Sequence, residues 1–293
     1  MARPIDDLSR YDIDVIRSDD LSFEGRHGRV GVTLYLPSVR QVTREGEPEI
    51  LCPYSAGWGE GLGAAQTACE ALTQTANVLA VAIEYPKRRL DVSEILDFRT
   101  EVYGEVIRHL RDHTIYDFAT TIVVGYSRGS APARLAAVGH TDVVTGICFV
   151  APTWFSSDLK PHELATRGLA ESAGAMSRSG WHDRINLISA TARLVHEMVT
   201  HPWDLRNDIA AISQENAADL DEIIETGLRV GVVGGIEDEL CDITGIRQVI
   251  DKVTDRGKVD YHEVHSDHFS YFMKPDVLRV VAEVVNGLAS STA

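Results

Sequence analysis

Val123-Val124-Gly125-Tyr126-Ser127-Arg128-Gly129-Ser130 is the stretch on which the reading of this chain turns. It follows the β-branched run Thr120-Thr121-Ile122 and leads into Ala131-Pro132-Ala133-Arg134-Leu135-Ala136-Ala137, a helix-forming segment. A strand that meets a helix across Gly125-x-Ser127-x-Gly129 makes a very sharp turn. The flanking glycines leave room for close backbone packing, and the turn holds the serine hydroxyl clear of the chain. The following helix aims its free N–H groups and positive dipole end at whatever sits over Ser127. That suits a nucleophile whose attack generates negative charge. A plain Gly-Ser turn between a core strand and a core helix would carry the same string, so its meaning depends on context.

Outward from this turn the pattern is regular. Tyr11 to Ile16 and Arg29 to Leu36 read as an opening antiparallel pair, with turns at Asp19-Asp20 and at Glu24 to Gly28. Glu49 to Tyr54 is a short strand that breaks into Ser55-Ala56-Gly57-Trp58-Gly59-Glu60-Gly61-Leu62-Gly63, the densest glycine cluster in the chain. Ala64 to Ala76 has helix propensity, and Val78 to Ile83 is a continuous apolar run, as in a strand covered on both faces. Ser93 to His113 fits a long amphipathic helix with Ser93 as its N-cap and Ile95, Leu96, Val102, Val106, Ile107 and Leu110 on its inner face. Val143 to Val150, Leu228 to Val233 and Lys258 to Val264 are further strands, with helices near Thr244 to Thr254 and from Pro275 to Leu288. Alternation of this kind gives an α/β fold with a mostly parallel sheet and helices on both faces. Between Trp154 and Gly227 no strand pattern occurs, and helix-like pieces break at Pro161, Gly174, Gly180 and Pro202. The expected organisation is therefore a core of residues 1–153 and 228–293, with 154–227 as a helical insertion over the sheet's carboxyl edge, where ligands bind in open α/β sheets.

Composition narrows the function. A formal charge of −16 with no offsetting basic tract argues against nucleic acid or an anionic membrane as partner. No apolar stretch reaches transmembrane length, and Met1 to Asp7 has no apolar core of the secretory kind. Cys52, Cys69, Cys148 and Cys241 are far apart and fit no metal spacing, so they read as buried free thiols in a reducing, cytoplasmic compartment. Gly57 to Gly63 lacks GKS, GKT and G-x-G-x-x-G patterns, which disfavours a nucleotide site. Neither a metal nor a cofactor is expected.

A serine needs a base, and the base needs an orienting group. After Val232-Val233 comes Gly234-Gly235-Ile236-Glu237-Asp238-Glu239, and after the last strand His265-Ser266-Asp267-His268-Phe269. The order Ser, acid, His is that of an α/β-hydrolase. The chain resembles that superfamily over nearly its whole length outside the insertion. Gly125 to Gly129 matches the nucleophile elbow, Gly235-Ile236-Glu237-Asp238 resembles the G-x-x-D acid loop, and Asp267-His268-Phe269 resembles the G-H-F segment with Asp267 in place of Gly. Ser55-Ala56-Gly57-Trp58 stands where the family usually has H-G-x. The resemblance implies a Ser127–His268–Asp238 triad and oxyanion donors at the backbone N–H groups of Trp58 and Arg128. Glu237 and Asp158 are the competing acids, and His265 and His262 the competing bases. Trp154, Trp181 and Trp203 of the insertion are candidates to roof an acyl pocket. The function expected is a serine hydrolase of a carboxylic ester, thioester or lactone, its partner a small-molecule acyl substrate. A C–C hydrolase, acyltransferase or cyclase with the same triad is the alternative within enzymes, and a non-catalytic small-molecule receptor the alternative outside them.

Overall fold

Apolar runs too uniform for a half-exposed sheet form the middle of the molecule. The structure is a computed structural model that describes residues 3–4, 16–25, 28–36, 50–56, 62–76, 78–84, 92–113, 118–153, 161–178, 188, 192 and 220–290. Its strands are β1 Arg3–Pro4, β2 Ile16–Gly25, β3 Gly28–Leu36, β4 Ile50–Ser55, β5 Leu79–Glu84, β6 Thr120–Tyr126, β7 Gly146–Val150, β8 Arg229–Gly235 and β9 Val259–Val264. They form one sheet in the order β1-β2-β3-β5-β4-β6-β7-β8-β9. Pairing is antiparallel from β1 to β5 and parallel from β5 through β9.

The helices are α1 Leu62–Ala76, α2 Val92–His113, α3 Ser130–Gly139, α4 Pro161–Arg178, α5 Leu220–Glu225, α6 Ile243–Lys252 and α7 Pro275–Ser290. Because strand side chains alternate between faces, Val123, Ile147, Phe149, Val230 and Val232 point to one layer, with α2, α3, α5 and α6. Ile122, Val124, Cys148, Val150 and Val233 point to the other, with α1 and α7. Both faces are covered, as continuous apolar strands require. The expected inner face of α2 is buried at all six positions, and Phe98 and Tyr103 join it.

Three expectations change. Residues 11–15 lie outside the described residues, and β2 instead runs from Ile16 straight through Asp19-Asp20. Its partners step from Ser18↔Leu34 to Leu21↔Val32, so the two aspartates are absorbed as a bulge rather than a turn. Helix α2 begins at Val92, which puts Ser93 inside the first turn instead of at the cap. Gly174 does not break α4, which continues to Arg178.

The sheet's connectivity locates the site. From β4 the chain moves outward through α1 to β5, then returns through α2 past β4 to β6. The carboxyl ends of β4 and β6 thus flank the point where the winding reverses, which opens a crevice there. Register pairs Ser55 with Gly125, so the end of β4 lies beside the turn that starts at Ser127.

That juxtaposition depends on Gly129. A Cβ on it would fall 2.0 Å from the Ser55 carbonyl oxygen and 2.6 Å from that of Ala56, both backbone atoms. Gly129→Ala should therefore cost about 2 to 3 kcal/mol of stability as β4 and the turn are forced apart. Gly139→Ala, at a position with nothing within 4 Å of the new Cβ, should leave the melting temperature unchanged or raise it. Equal melting temperatures for the two variants would refute this account of the packing.

Candidate active site

Ser127 opens a single 3-10 turn, Ser127–Gly129, between β6 and α3. Its φ is 52°, in the left-handed region that L residues rarely occupy. A Cβ at Gly125 would lie 2.8 Å from both Ala133 Cβ and Ser130 Cα, so the helix sits directly on the strand end. The Ser130 hydroxyl donates to the Gly125 carbonyl at 3.3 Å and closes the turn. Ser127 is buried, at 3% exposure.

The acid comes from the loop after β8. Asp238 Oδ1 accepts from the backbone N–H groups of Leu240 at 3.0 Å and Cys241 at 2.7 Å. Its Oδ2 accepts from His268 Nδ1–H at 2.9 Å and from the Tyr271 hydroxyl at 3.2 Å. Four donors on one buried carboxylate satisfy its lone pairs and fix its orientation toward His268. Asp242 then caps α6 by accepting from the Thr244 N–H at 2.9 Å, which ends the loop.

The histidine comes from the loop after β9. With Nδ1 protonated toward Asp238, His268 Nε2 is an acceptor, and the Ser127 hydroxyl donates to it at 2.8 Å. His268 is 4% exposed. The Tyr126 ring stacks on the imidazole with centroids 5.4 Å apart, and the Tyr126 hydroxyl donates to the His268 carbonyl. The two loops are tied directly: the N–H groups of Ile236 and Glu237 donate to the carbonyls of Val264 and Ser266. Cys241 packs beneath, its thiol donating to the Ala151 carbonyl at 3.0 Å with Sγ 3.6 Å from His268 Nδ1. Burial holds that thiol protonated, its pKa well above the ordinary value.

Ser127, His268 and Asp238 are thus brought into one hydrogen-bonded chain, and Glu237, His265 and His262 are not part of it. The Glu237 carboxylate faces His265 at 3.5 Å, with His265 78% exposed. His262 pairs with Asp260 at 2.8 Å on β9. Arg128 follows Ser127 in the 3-10 turn and is half-buried. Asp158, Trp58, Trp154, Trp181 and Trp203 lie outside the described residues. Cys52, Cys69, Cys148 and Cys241 are all free and buried. One ligand atom each of Asp238, Cys241 and His268 lies within 4.8 Å of the others. A cation entering there would have to displace the proton shared by Nδ1 and Oδ2.

Several supports were not singled out in the sequence. Tyr126 and Tyr271 act through hydroxyls that reach across to loops distant in the chain, and no local pattern marks such contacts. Glu171 of α4 accepts at Oε1 from the His268 N–H at 2.7 Å and the Glu239 N–H at 3.3 Å. Asp267, which stands where the family has glycine, is 2% exposed. Its Oδ1 accepts from the Phe269 N–H at 3.1 Å and the Ser270 hydroxyl at 2.7 Å, so it caps the turn that carries His268.

Neither a protein-family model nor a curated protein sequence matches the chain. Solved structures do. An esterase from Pyrobaculum calidifontis superposes with a TM-score of 0.60 at 16% identity, covering 97% of this chain and 88% of that one. Carboxyl esterase 2 from the mycorrhizal fungus Tuber melanosporum gives 0.59 at 13% identity, covering 98% and 88%. An alpha-beta serine hydrolase homologue from Coxiella burnetii gives 0.54 at 12% identity, covering 92% and 96%. At these identities the likeness is one of fold, and the fold is that of the α/β-hydrolases.

The cap at Asp267 is testable apart from any chemistry. Asp267→Ala leaves the Phe269 N–H and Ser270 hydroxyl without their acceptor and should lower stability by about 1 to 2 kcal/mol in urea melts. Asp267→Asn keeps an acceptor oxygen and should recover most of it. Equal loss in both would mean that charge rather than the turn is what matters.

Proposed function

We propose that the protein is a serine hydrolase that cleaves a carboxylic ester, thioester or lactone. The observation that carries this is the buried chain from Ser127 Oγ through His268 to Asp238, with contacts of 2.8 and 2.9 Å, at the carboxyl edge of the sheet. In this reading Ser127 Oγ attacks the acyl carbonyl as His268 Nε2 takes its proton. Asp238 holds the imidazole in the Nδ1–H tautomer and stabilises the imidazolium. The tetrahedral oxyanion is held by the backbone N–H groups of Trp58 and Arg128. Collapse expels the alcohol, thiol or lactone oxygen, which receives the proton from His268. Water, deprotonated by His268, then attacks the acyl-enzyme and a second collapse restores Ser127.

The insertion, residues 154–227, would cover this edge and set substrate range, with Trp154, Trp181 and Trp203 as its apolar roof. A cytoplasmic site of action fits the four free, buried thiols. Among the described residues no helix is long and apolar enough to cross a membrane.

Two measurements test the reading. A fluorophosphonate should add once, at Ser127, because the adduct resembles the tetrahedral intermediate, and Ser127→Ala should abolish both the label and roughly 10⁴-fold or more of ester turnover. Failure of the wild type to label under conditions that saturate a known serine esterase would favour a non-catalytic receptor. For the base, kcat/KM should rise with pH through an apparent pKa of roughly 6 to 7. His268→Ala should remove that activity and His265→Ala should spare it; the reverse would move the base to His265.

A further inference from the structure

Glu171 belongs to α4, inside the 154–227 segment, yet it is 5% exposed and buried against two loops of the sheet. The two N–H groups it accepts, from His268 at 2.7 Å and Glu239 at 3.3 Å, belong to the histidine loop and the acid loop respectively. One oxygen thus bridges the two loops whose spacing sets the Asp238–His268 contact. Arg167, one turn earlier on the same helix, donates from Nη1 to the Glu239 carbonyl at 3.4 Å and holds the acid loop a second time. The other carboxylate oxygen, Oε2, is buried and has no hydrogen-bond partner among the described residues. A half-paired buried carboxylate opposes folding, so its presence beside the triad points to a use other than stability.

We propose that Glu171 is a positioning residue for the triad: it fixes the acid and histidine loops relative to each other, and its negative charge favours the imidazolium formed when His268 takes the serine proton. This rests on the serine hydrolase reading.

Among the described residues, the titratable groups that act on it are His268 and Asp238 from the two loops and Cys241 behind them, while Arg167 engages the Glu239 carbonyl beside it. Burial pushes the Glu171 carboxyl up from 4.5 to about 7, Asp238 adds to that rise, and His268 and the two N–H bonds oppose it. A carboxyl raised in the folded state binds its proton more tightly there than in the unfolded chain. Its contribution to stability is therefore greatest below pH 4.5 and is lost as pH rises toward about 7. Glu171→Gln, which keeps an acceptor oxygen and discards the charge, should not show that loss.

The deciding experiment measures wild type, Glu171→Gln and Glu171→Ala on p-nitrophenyl acetate across pH, with fluorophosphonate titration giving the active fraction of each. Glu171→Gln should lower kcat about fivefold with KM little changed, and move the acid limb of kcat/KM to lower pH by about half a unit, because the imidazolium loses a stabilising charge. Glu171→Ala should lower kcat roughly a hundredfold, since the loops also lose their bridge. All three proteins should label only at Ser127, the variants more slowly. If both variants keep wild-type kcat and the same acid limb per active site, and differ only in melting temperature, Glu171 is structural and the proposal is overturned. Should Glu171→Ala fail to fold, the acid limb of Glu171→Gln alone decides in the same way. A wild type that neither labels nor turns over ester would sink the hydrolase reading itself, a result distinguishable from failure in the variants alone.

Discussion

A serine at φ 52° is the constraint on which the rest of the site depends. That conformation costs an L residue roughly 1 to 2 kcal/mol, because Cβ crowds the following carbonyl. It persists because the surroundings leave no alternative. Strand β6 is buried along its whole length and α3 packs against one of its two layers, so both arms of the turn are fixed. With Gly125 and Gly129 the arms close to within a Cβ of backbone and helix. Any other residue at either position would push the turn outward and allow Ser127 to relax. Core packing thus holds a side chain in a place that local preference would not choose.

The same logic extends to the partners. Asp238 and His268 stand on loops after adjacent parallel strands, β8 and β9, whose ladder sets the loops side by side. Register alone cannot orient a carboxylate, and the final geometry comes from local hydrogen bonds. Asp238 turns back on the N–H groups of Leu240 and Cys241, while Asp267 turns back on Phe269 and Ser270. Each is a short side chain binding its own following backbone, which is how aspartates fix loops. Both loops are therefore shaped by an aspartate, one bonded to the His268 ring and one beside it.

How far this was legible in the sequence follows from the range of each interaction. The core strands and helices were legible because burial on both faces writes continuous apolar runs and 3.6-residue periodicity. The bulge was not legible because Asp19-Asp20 signals a turn, whereas a one-residue excess can be taken up within an antiparallel pair. Ser127 was legible through spacing within five residues. Beside Asp238 and His268 the sequence offered neighbours of the same chemistry, and only the fold shows that Glu237 and His265 face each other at the surface. Asp267 looked like a departure from a family glycine, but its carboxylate supplies the turn by hydrogen bonding instead of by backbone freedom. Glu171 was illegible altogether, since a glutamate on an amphipathic helix reads as part of a solvated face until its burial is seen.

The two carboxylates beside His268 solve different problems. Asp238 has four donors spread over both oxygens, which replace the hydrogen bonds that burial removes. Among the described residues Glu171 has two donors on one oxygen and none on the other, so desolvation is only partly offset and its carboxyl is pushed up to about 7. Its charge therefore responds to its neighbours, with Asp238 raising and His268 lowering its hold on the proton. A positive charge on His268 draws the proton off Glu171, and the ionised Glu171 in turn stabilises that positive charge. A neutral imidazole leaves the carboxyl free to remain protonated, which spares Asp238 a second buried anion nearby. In the proposed serine hydrolase reading, one fully hydrogen-bonded and one half-paired carboxylate around a single imidazole would both meet the imidazolium when it forms.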